Sequence, residues 1–219
     1  MIELFRQGGI LMYPLAVCSI VAVALIIERS LNLRRSKVIK PEIIQVIENI
    51  KGPGDLGLAY SICEKNQGPF SSVILTALSM KNLSKEEIKE AITDNGRQQT
   101  RKLERGLAIL ETVAGVSPLL GILGTVLGMI QMFRDITQFG IGQSGAMAGG
   151  IQVALITTAA GLFVGIPALV GYNYFTNKVD GLVLELEYWA GYLLNKLTGF
   201  QGESKMPNRA KERAIDEVF

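Results

Sequence analysis

Three stretches of the 219-residue chain carry no charged side chain: Gln7 to Ile27, Thr112 to Phe133 and Ile136 to Asn177. A membrane-crossing helix needs about 17–25 mainly apolar residues. The third stretch exceeds one span, but its first part, "TQFGIGQSGAMAGG", is rich in Gly, Ser and Gln. The pattern therefore predicts three spanning helices, near Gly9–Ile27, Leu107–Phe133 and Gly149–Tyr174. The first is expected to be retained rather than cleaved. Glu3 balances Arg6 in "MIELFRQGG", and the apolar run ends in "ERSLNLRRSK", not in a small-residue cleavage site.

Between the first two spans the pattern is helical with clear punctuation. Pro41 opens "PEIIQVIENI", an acceptable first helical position, and "KGPGD" breaks the chain. Asp55 is expected to cap "LGLAYSICEKN", and Pro69 starts "FSSVILTALSM" after a second break at "QGPF". Ser84 and Glu87 form an S-x-x-E capping box. From Ser84 no proline follows until Pro118, so one helix is expected to continue from this segment into span two. Taken to Phe133, it would measure about 75 Å at 1.5 Å per residue. The alternative is a break at "RGLA" with two helices. The link before span three is flexible by composition, no strand signal is convincing, and much of the polar tail after Leu197 is expected to be mobile.

Charge then orients the helices. Arg29, Arg34, Arg35, Lys37 and Lys40 follow span one, and Arg97, Arg101, Lys102 and Arg105 precede span two. The link between spans two and three has no Lys or Arg besides Arg134. By the positive-inside rule the N-terminus lies outside and the middle segment and tail lie in the cytoplasm. The expected organisation is 1–28 (outer N-terminus and first span), 29–106 (helical cytoplasmic segment), 107–133 (second span), 134–148 (short outer loop), 149–174 (third span) and 175–219 (cytoplasmic helix and tail). Charged residues make up 19% of the chain, below the soluble average of about 25%. The net charge of +2 reflects topology and gives no case for nucleic acid. Cys18 and Cys63 fall in different segments, so no disulfide is expected. With no histidine in the chain, neither a metal site nor a cofactor is expected.

Spans two and three also carry small residues at four-residue spacing: Gly121 and Thr125, Gly124 and Gly128, then Thr157, Gly161 and Gly165. In lipid such spacing lets helix backbones approach closely, and helix contact is its ordinary meaning. Pro118 and Pro167, like Pro14 in span one, predict kinks; Ser117 beside Pro118 would favour local hydration. A lone membrane threonine usually bonds back to its own helix. Thr157 and Thr158 lie about 100° apart around a helix, so one face cannot hide both equally. Thr125 adds a third hydroxyl. No carboxylate lies deep in any span, although proton relays through membranes normally use Asp, Glu or His. A proton path would need a partner's titrating group. No nucleophile–base pair, phosphate loop or metal cluster is visible, so the chain is not expected to be an enzyme.

"VSPLLGILGTVLGMIQMF" and "ALITTAAGLFVGIPALVGYNYF" together resemble the ExbB/TolQ/MotA proton-channel family, in its three-span ExbB/TolQ branch. The resemblance implies an all-α bacterial inner-membrane protein with a periplasmic N-terminus. It implies a homopentameric ring whose spans two and three line a pore around a dimeric ExbD/TolR-type partner. The partner's aspartate would carry the proton, and the work would reach the outer membrane through a TonB- or TolA-like protein. Thr125 and Thr158 match the family's pore-lining threonines, with Thr157 adjacent, and Pro118 matches its span-two proline. Some relatives carry a glutamate five residues before the pore threonine; here that position is Val153. The resemblance leaves open TonB-linked against Tol-type work, and proton against sodium coupling. A passive oligomeric scaffold and a small-molecule transporter are the alternatives. No internal repeat of the kind transporters show relates the three spans.

Overall fold

The structure, a computed structural model, describes residues 8–139 and 144–205. Among the described residues there are eight α-helices and no strand. These are α1 (Met12–Asn32), α2 (Arg35–Val38), α3 (Pro41–Asn49), α4 (Leu56–Lys65), α5 (Pro69–Ser79), α6 (Lys85–Glu104), α7 (Leu107–Phe139) and α8 (Ser144–Lys205), with a 3₁₀ turn at Pro53–Asp55. Three of them, α1, α7 and α8, are long and apolar enough to cross a membrane. The protein is thus all-α with three candidate spans. The expectations for Glu3, Arg6, residues 140–143 and the last 14 residues lie outside the described residues.

The helix expected to run unbroken from Ser84 is interrupted. α6 stops at Glu104 and α7 starts at Leu107. Gly106 sits between them with φ +87°, a left-handed conformation that glycine adopts without a Cβ penalty. Its carbonyl then accepts the Leu110 N–H at 3.1 Å, opening α7. A Cβ at Gly106 would also meet Leu25 Cδ2 at 3.3 Å. Two further boundaries differ. Helix reaches into the expected outer loop from both sides, to Phe139 and from Ser144. Span three continues without interruption through residue 175 and past Leu197, so α8 has 62 residues.

The chain divides into two compact units. The first holds α1, α7 and the part of α8 up to Asn177. Its interior is built from small and branched side chains, including Leu15, Ala22, Leu110, Val113, Ala114, Ala154 and Ala168. The three helices meet at Gly171, where a Cβ would lie 3.2 Å from Ile26 Cγ1 and 3.6 Å from Leu110 Cδ2. Around this interior, large apolar side chains face outward in the lone chain. Ile20 is 70% exposed and Phe163 80%, the reverse of a soluble surface and the arrangement hydrocarbon requires.

The second unit holds α2 to α6 and α8 from Lys178 onward. Ile43 and Ile47 bury one face of α3, and Phe70, Val73, Ile74 and Ala77 bury α5. α8 supplies Val179, Leu182, Leu186, Ala190, Leu193 and Leu197, a three-and-four spacing that keeps one stripe inward. Helix ends are satisfied from near and far. The Ser84–Glu87 box forms at α6: Glu87 N–H donates to Ser84 Oγ at 3.3 Å, and Ser84 N–H to Glu87 Oε2 at 2.9 Å. The Ser84 hydroxyl, which also donates to Glu87 Oε2 at 2.7 Å, and then the Ser84 N–H hold the Glu87 carboxyl below its ordinary range. Asp55 departs from expectation. It stands at the start of α4 without capping it, and its carboxylate instead accepts the Lys51 and Gly52 N–H groups at 2.9 and 3.3 Å, closing the 3₁₀ turn. Lys196 Nζ donates to the carbonyls of Ile47 (3.0 Å), Glu48 (2.6 Å) and Ile50 (3.1 Å), closing the end of α3. Between α5 and α6 the buried Gln99 amide donates to Ser72 Oγ at 3.1 Å, and Asn95 to Thr76 Oγ1 at 3.0 Å. These polar bonds fix the pairing of the two helices.

Cys63 is packed inside this unit, 1% exposed. Burial pushes its thiol up to about 11. At pH 8 about one molecule in a thousand would then carry the reactive thiolate. Alkylation of the folded protein at pH 8 should therefore be far slower than after unfolding, as read by mass spectrometry. The stability linked to the buried neutral thiol is fully present below the ordinary value of 9.0 and is lost as pH rises through about 11.

Candidate functional site

The seam between α7 and α8 lies wholly within the first unit. It begins with glycine. A Cβ at Gly121 would lie 3.1 Å from the Thr157 carbonyl oxygen and Thr158 Cα. One at Gly161 would lie 2.6 Å from the Ser117 carbonyl oxygen and 2.9 Å from Gly121 Cα. At Gly128 it would meet the Gly150 carbonyl oxygen at 2.6 Å and Ala154 Cβ at 3.0 Å, and at Gly124 it would collide with the Thr157 side chain. The two backbones touch along this line, the contact that small residues at four-residue spacing permit. Gly150 and Ala154 extend it beyond the residues singled out in the sequence. Their signal was the same spacing, one and two turns ahead of Thr158.

Proline enters the seam as packing. Gly165 leaves room for the Pro118 ring, whose Cγ would be 2.7 Å from an added Cβ. Pro118 also removes the N–H that would bond the Ala114 carbonyl; that oxygen lies 3.3 Å from the Gly165 Cβ position. Pro167 is exposed, and α8 continues through it. Ser117 is fully buried, and its hydroxyl has no hydrogen-bond partner among the described residues. A buried unsatisfied hydroxyl is costly. Ser117→Ala should leave thermal stability in detergent unchanged or raise it by up to about 1 kcal/mol.

The three threonines separate into two roles. Thr157 is 1% exposed and faces Gly124. Its hydroxyl lies 2.9 Å from the Val153 carbonyl oxygen and 3.0 Å from that of Ala154, so its proton is used within its own helix. It therefore does not share the surface of the other two. Thr125 and Thr158 are half-buried and hydrogen-bond each other across the seam. Thr158 Oγ1 also lies 3.1 Å from the Ala154 carbonyl oxygen and 3.2 Å from that of Gly121. Thr125 Oγ1 stands 3.4 Å from the same two oxygens. Four oxygens thus share two hydroxyl protons. Such a cluster can redirect one proton toward an incoming acceptor while the other hydroxyl stays bonded to backbone. It cannot carry a charge itself, since threonine does not titrate.

No carboxylate is available within these stretches: none occurs from Thr112 to Phe133 or from Ile136 to Asn177. Asp135, just past the first, accepts the Gln131 amide at 2.8 Å. Val153 is half-buried one turn before Thr157. Among the described residues no group of three or more His, Cys, Asp or Glu could hold a metal ion.

Residues 65–188 match the MotA/TolQ/ExbB proton channel family. An ExbB homolog of Methanothermobacter thermautotrophicus is 32% identical over 201 residues, covering 91% of this chain and 69% of that protein. Biopolymer transport protein exbB1 of Vibrio cholerae is 30% identical over 196 residues, covering 87% of this chain and 86% of that protein. The Tol-Pal system protein TolQ of Pseudomonas aeruginosa is 40% identical over 86 residues, covering 39% of this chain and 37% of its own length.

Proposed function

Because this chain belongs to the MotA/TolQ/ExbB proton channel family, we propose that it forms the ring of an ion-driven motor in a bacterial inner membrane. The family is one of transport-associated channels, not of enzymes. Five copies would surround the membrane helices of an ExbD/TolR-type dimer, with α7 and α8 facing inward and α1 outward. The N-terminus would lie in the periplasm and α2 to α6 in the cytoplasm. The partner's aspartate would take up and release the proton, and a TonB- or TolA-like protein would carry the work to the outer membrane.

The observation that carries this reading is the Thr125–Thr158 hydroxyl pair, half-buried on a backbone seam that contains no acid. A carboxylate brought beside it would find donors while charged. Once protonated it would leave more easily, because a neutral acid costs less to desolvate. Val153 fits a division of labour in which the partner alone titrates. Close backbone contact along the seam would leave the hydroxyls little freedom to drift.

Native mass spectrometry of the chain purified with a single-span partner, paired with proton flux into vesicles holding both, tests the proposal. Five copies with two partner chains, and flux only when both are present, is the expected result. A monomer or dimer retaining no partner in several mild detergents would contradict it. Substrate-dependent uptake by this chain alone would instead support the transporter alternative.

A further inference from the structure

The later part of α8, within the second unit, leaves an apolar stripe uncovered. Leu184 is 67% exposed, Tyr188 65% and Tyr192 36%. They follow at four-residue spacing and so share one face of the helix. Lys178, Asp180, Glu185 and Glu187 stand along the same stretch, and charge at that density excludes a cover of hydrocarbon. Beside the stripe a groove of about 630 Å³ runs between α6 and α8. Leu186 and Leu194 line it, and the exposed Arg97 and Arg101 stand on its α6 side. Gly96 and Gly191 border it from the two helices, and a Cβ at either would meet nothing within 4 Å. Glycine inside a helix is costly; at these two positions it leaves the groove open to a side chain from outside.

We infer that the groove receives this stripe from a second copy of the chain, as a contact between neighbours in the ring; the inference rests on the ring proposed above. The chemistry of the two surfaces is complementary. The groove offers guanidinium groups and open glycines, and the stripe offers a leucine and two tyrosine rings. Cations are drawn to the faces of such rings. Trp189 braces Tyr188 edge-on, with ring centroids 5.2 Å apart. The two surfaces are also level. The groove uses residues 183–194 of α8, and the stripe lies within the same length. A copy rotated about an axis parallel to α8 keeps its height, so its stripe meets the groove without axial shift. A chain cannot fill its own groove, because Glu187 in the lining and Tyr188 on the stripe point about 100° apart on one helix. Two different patches meeting head to tail generate a ring when the rotation closes. Patches that diverge by this angle turn each copy relative to the last.

The test uses the full-length chain in membranes, expressed as a mixture of two isotopically distinct copies, with a photoreactive benzophenone amino acid replacing Tyr188. After irradiation, peptide mapping should place adducts within residues 89–101 and 183–194 of the other copy. Gly96→Leu, whose side chain starts in open space in the single chain, should lower the yield at least about fivefold by overfilling the contact. Native mass spectrometry of the same samples separates the two readings. An assembly of five copies with adducts elsewhere, within one copy or to another protein, or with a yield indifferent to Gly96→Leu, would overturn the docking and leave the ring standing. A chain that remains single and gives no adducts between copies would overturn both.

Discussion

Thr158→Val is expected to lower partner-dependent ion flux by about 10- to 100-fold while leaving the chain folded and assembled. Valine nearly preserves the shape of threonine and removes only the hydroxyl. In the chain alone the loss is small, because Thr125 Oγ1 still lies within reach of the Gly121 and Ala154 carbonyl oxygens. Hydrogen bonds between membrane helices average well under about 1 kcal/mol. A hydrogen bond to a charged group is worth about 1.5–3 kcal/mol, and each 1.36 kcal/mol is about tenfold in rate. The asymmetry between flux and stability is the informative part. Thr158→Ser, which keeps the hydroxyl, should retain most of the flux. Equal flux in Thr158→Val and the parent protein would reduce the pair to packing and favour the scaffold alternative.

The second large effect belongs to Gly161. Gly161→Val should abolish assembly, because its first side-chain carbon would lie 2.6 Å from the Ser117 carbonyl oxygen and 2.9 Å from Gly121 Cα. Both obstacles are backbone, so no rotamer change relieves them. Overpacking a tight core costs about 1–3 kcal/mol, and here α7 and α8 must separate for valine to fit. Gly115→Ala on α7 is the control: its added Cβ meets nothing within 4 Å. Size-exclusion chromatography and proteolysis of the two variants in detergent should diverge sharply. Intact assembly in Gly161→Val would show that the close seam is not what holds these helices.

Much of this was legible in the sequence, and the failures have physical causes. Uncharged stretches of spanning length located α1, α7 and α8, because charge is costly in hydrocarbon at any register. Punctuation by Pro41, Pro69 and the Ser84–Glu87 box located the starts of α3, α5 and α6, since these signals are local. The break at Gly106 was the alternative to the continuous helix that the spacing favoured. A lone glycine is tolerated within a helix, and spacing alone does not reveal that this one adopts a left-handed conformation. The continuity of α8 beyond Tyr174 was visible in principle. Val179, Leu182, Leu186, Ala190, Leu193 and Leu197 keep helical spacing, but the return of charge at Lys178 suggested a boundary. Charge marks where a span leaves the membrane, not where its helix stops. At the seam, glycine spacing identified the contact, whereas the separation of Thr157 from Thr158 needed coordinates. Both are threonines in one helix, and only the position of Gly124 decides which is buried.

The central proposal is that the Thr125–Thr158 pair faces a partner's membrane carboxylate. Its most direct measurement pairs Thr158→Cys in this chain with a cysteine replacing that acid in the co-expressed partner, in a background lacking Cys18 and Cys63, followed by oxidation in intact membranes. The proposal predicts a disulfide between the two chains, with none when the cysteine is moved to the outward-facing Phe163. A disulfide at Phe163→Cys, and none at Thr158→Cys, would contradict it by placing the partner on the opposite face of α8.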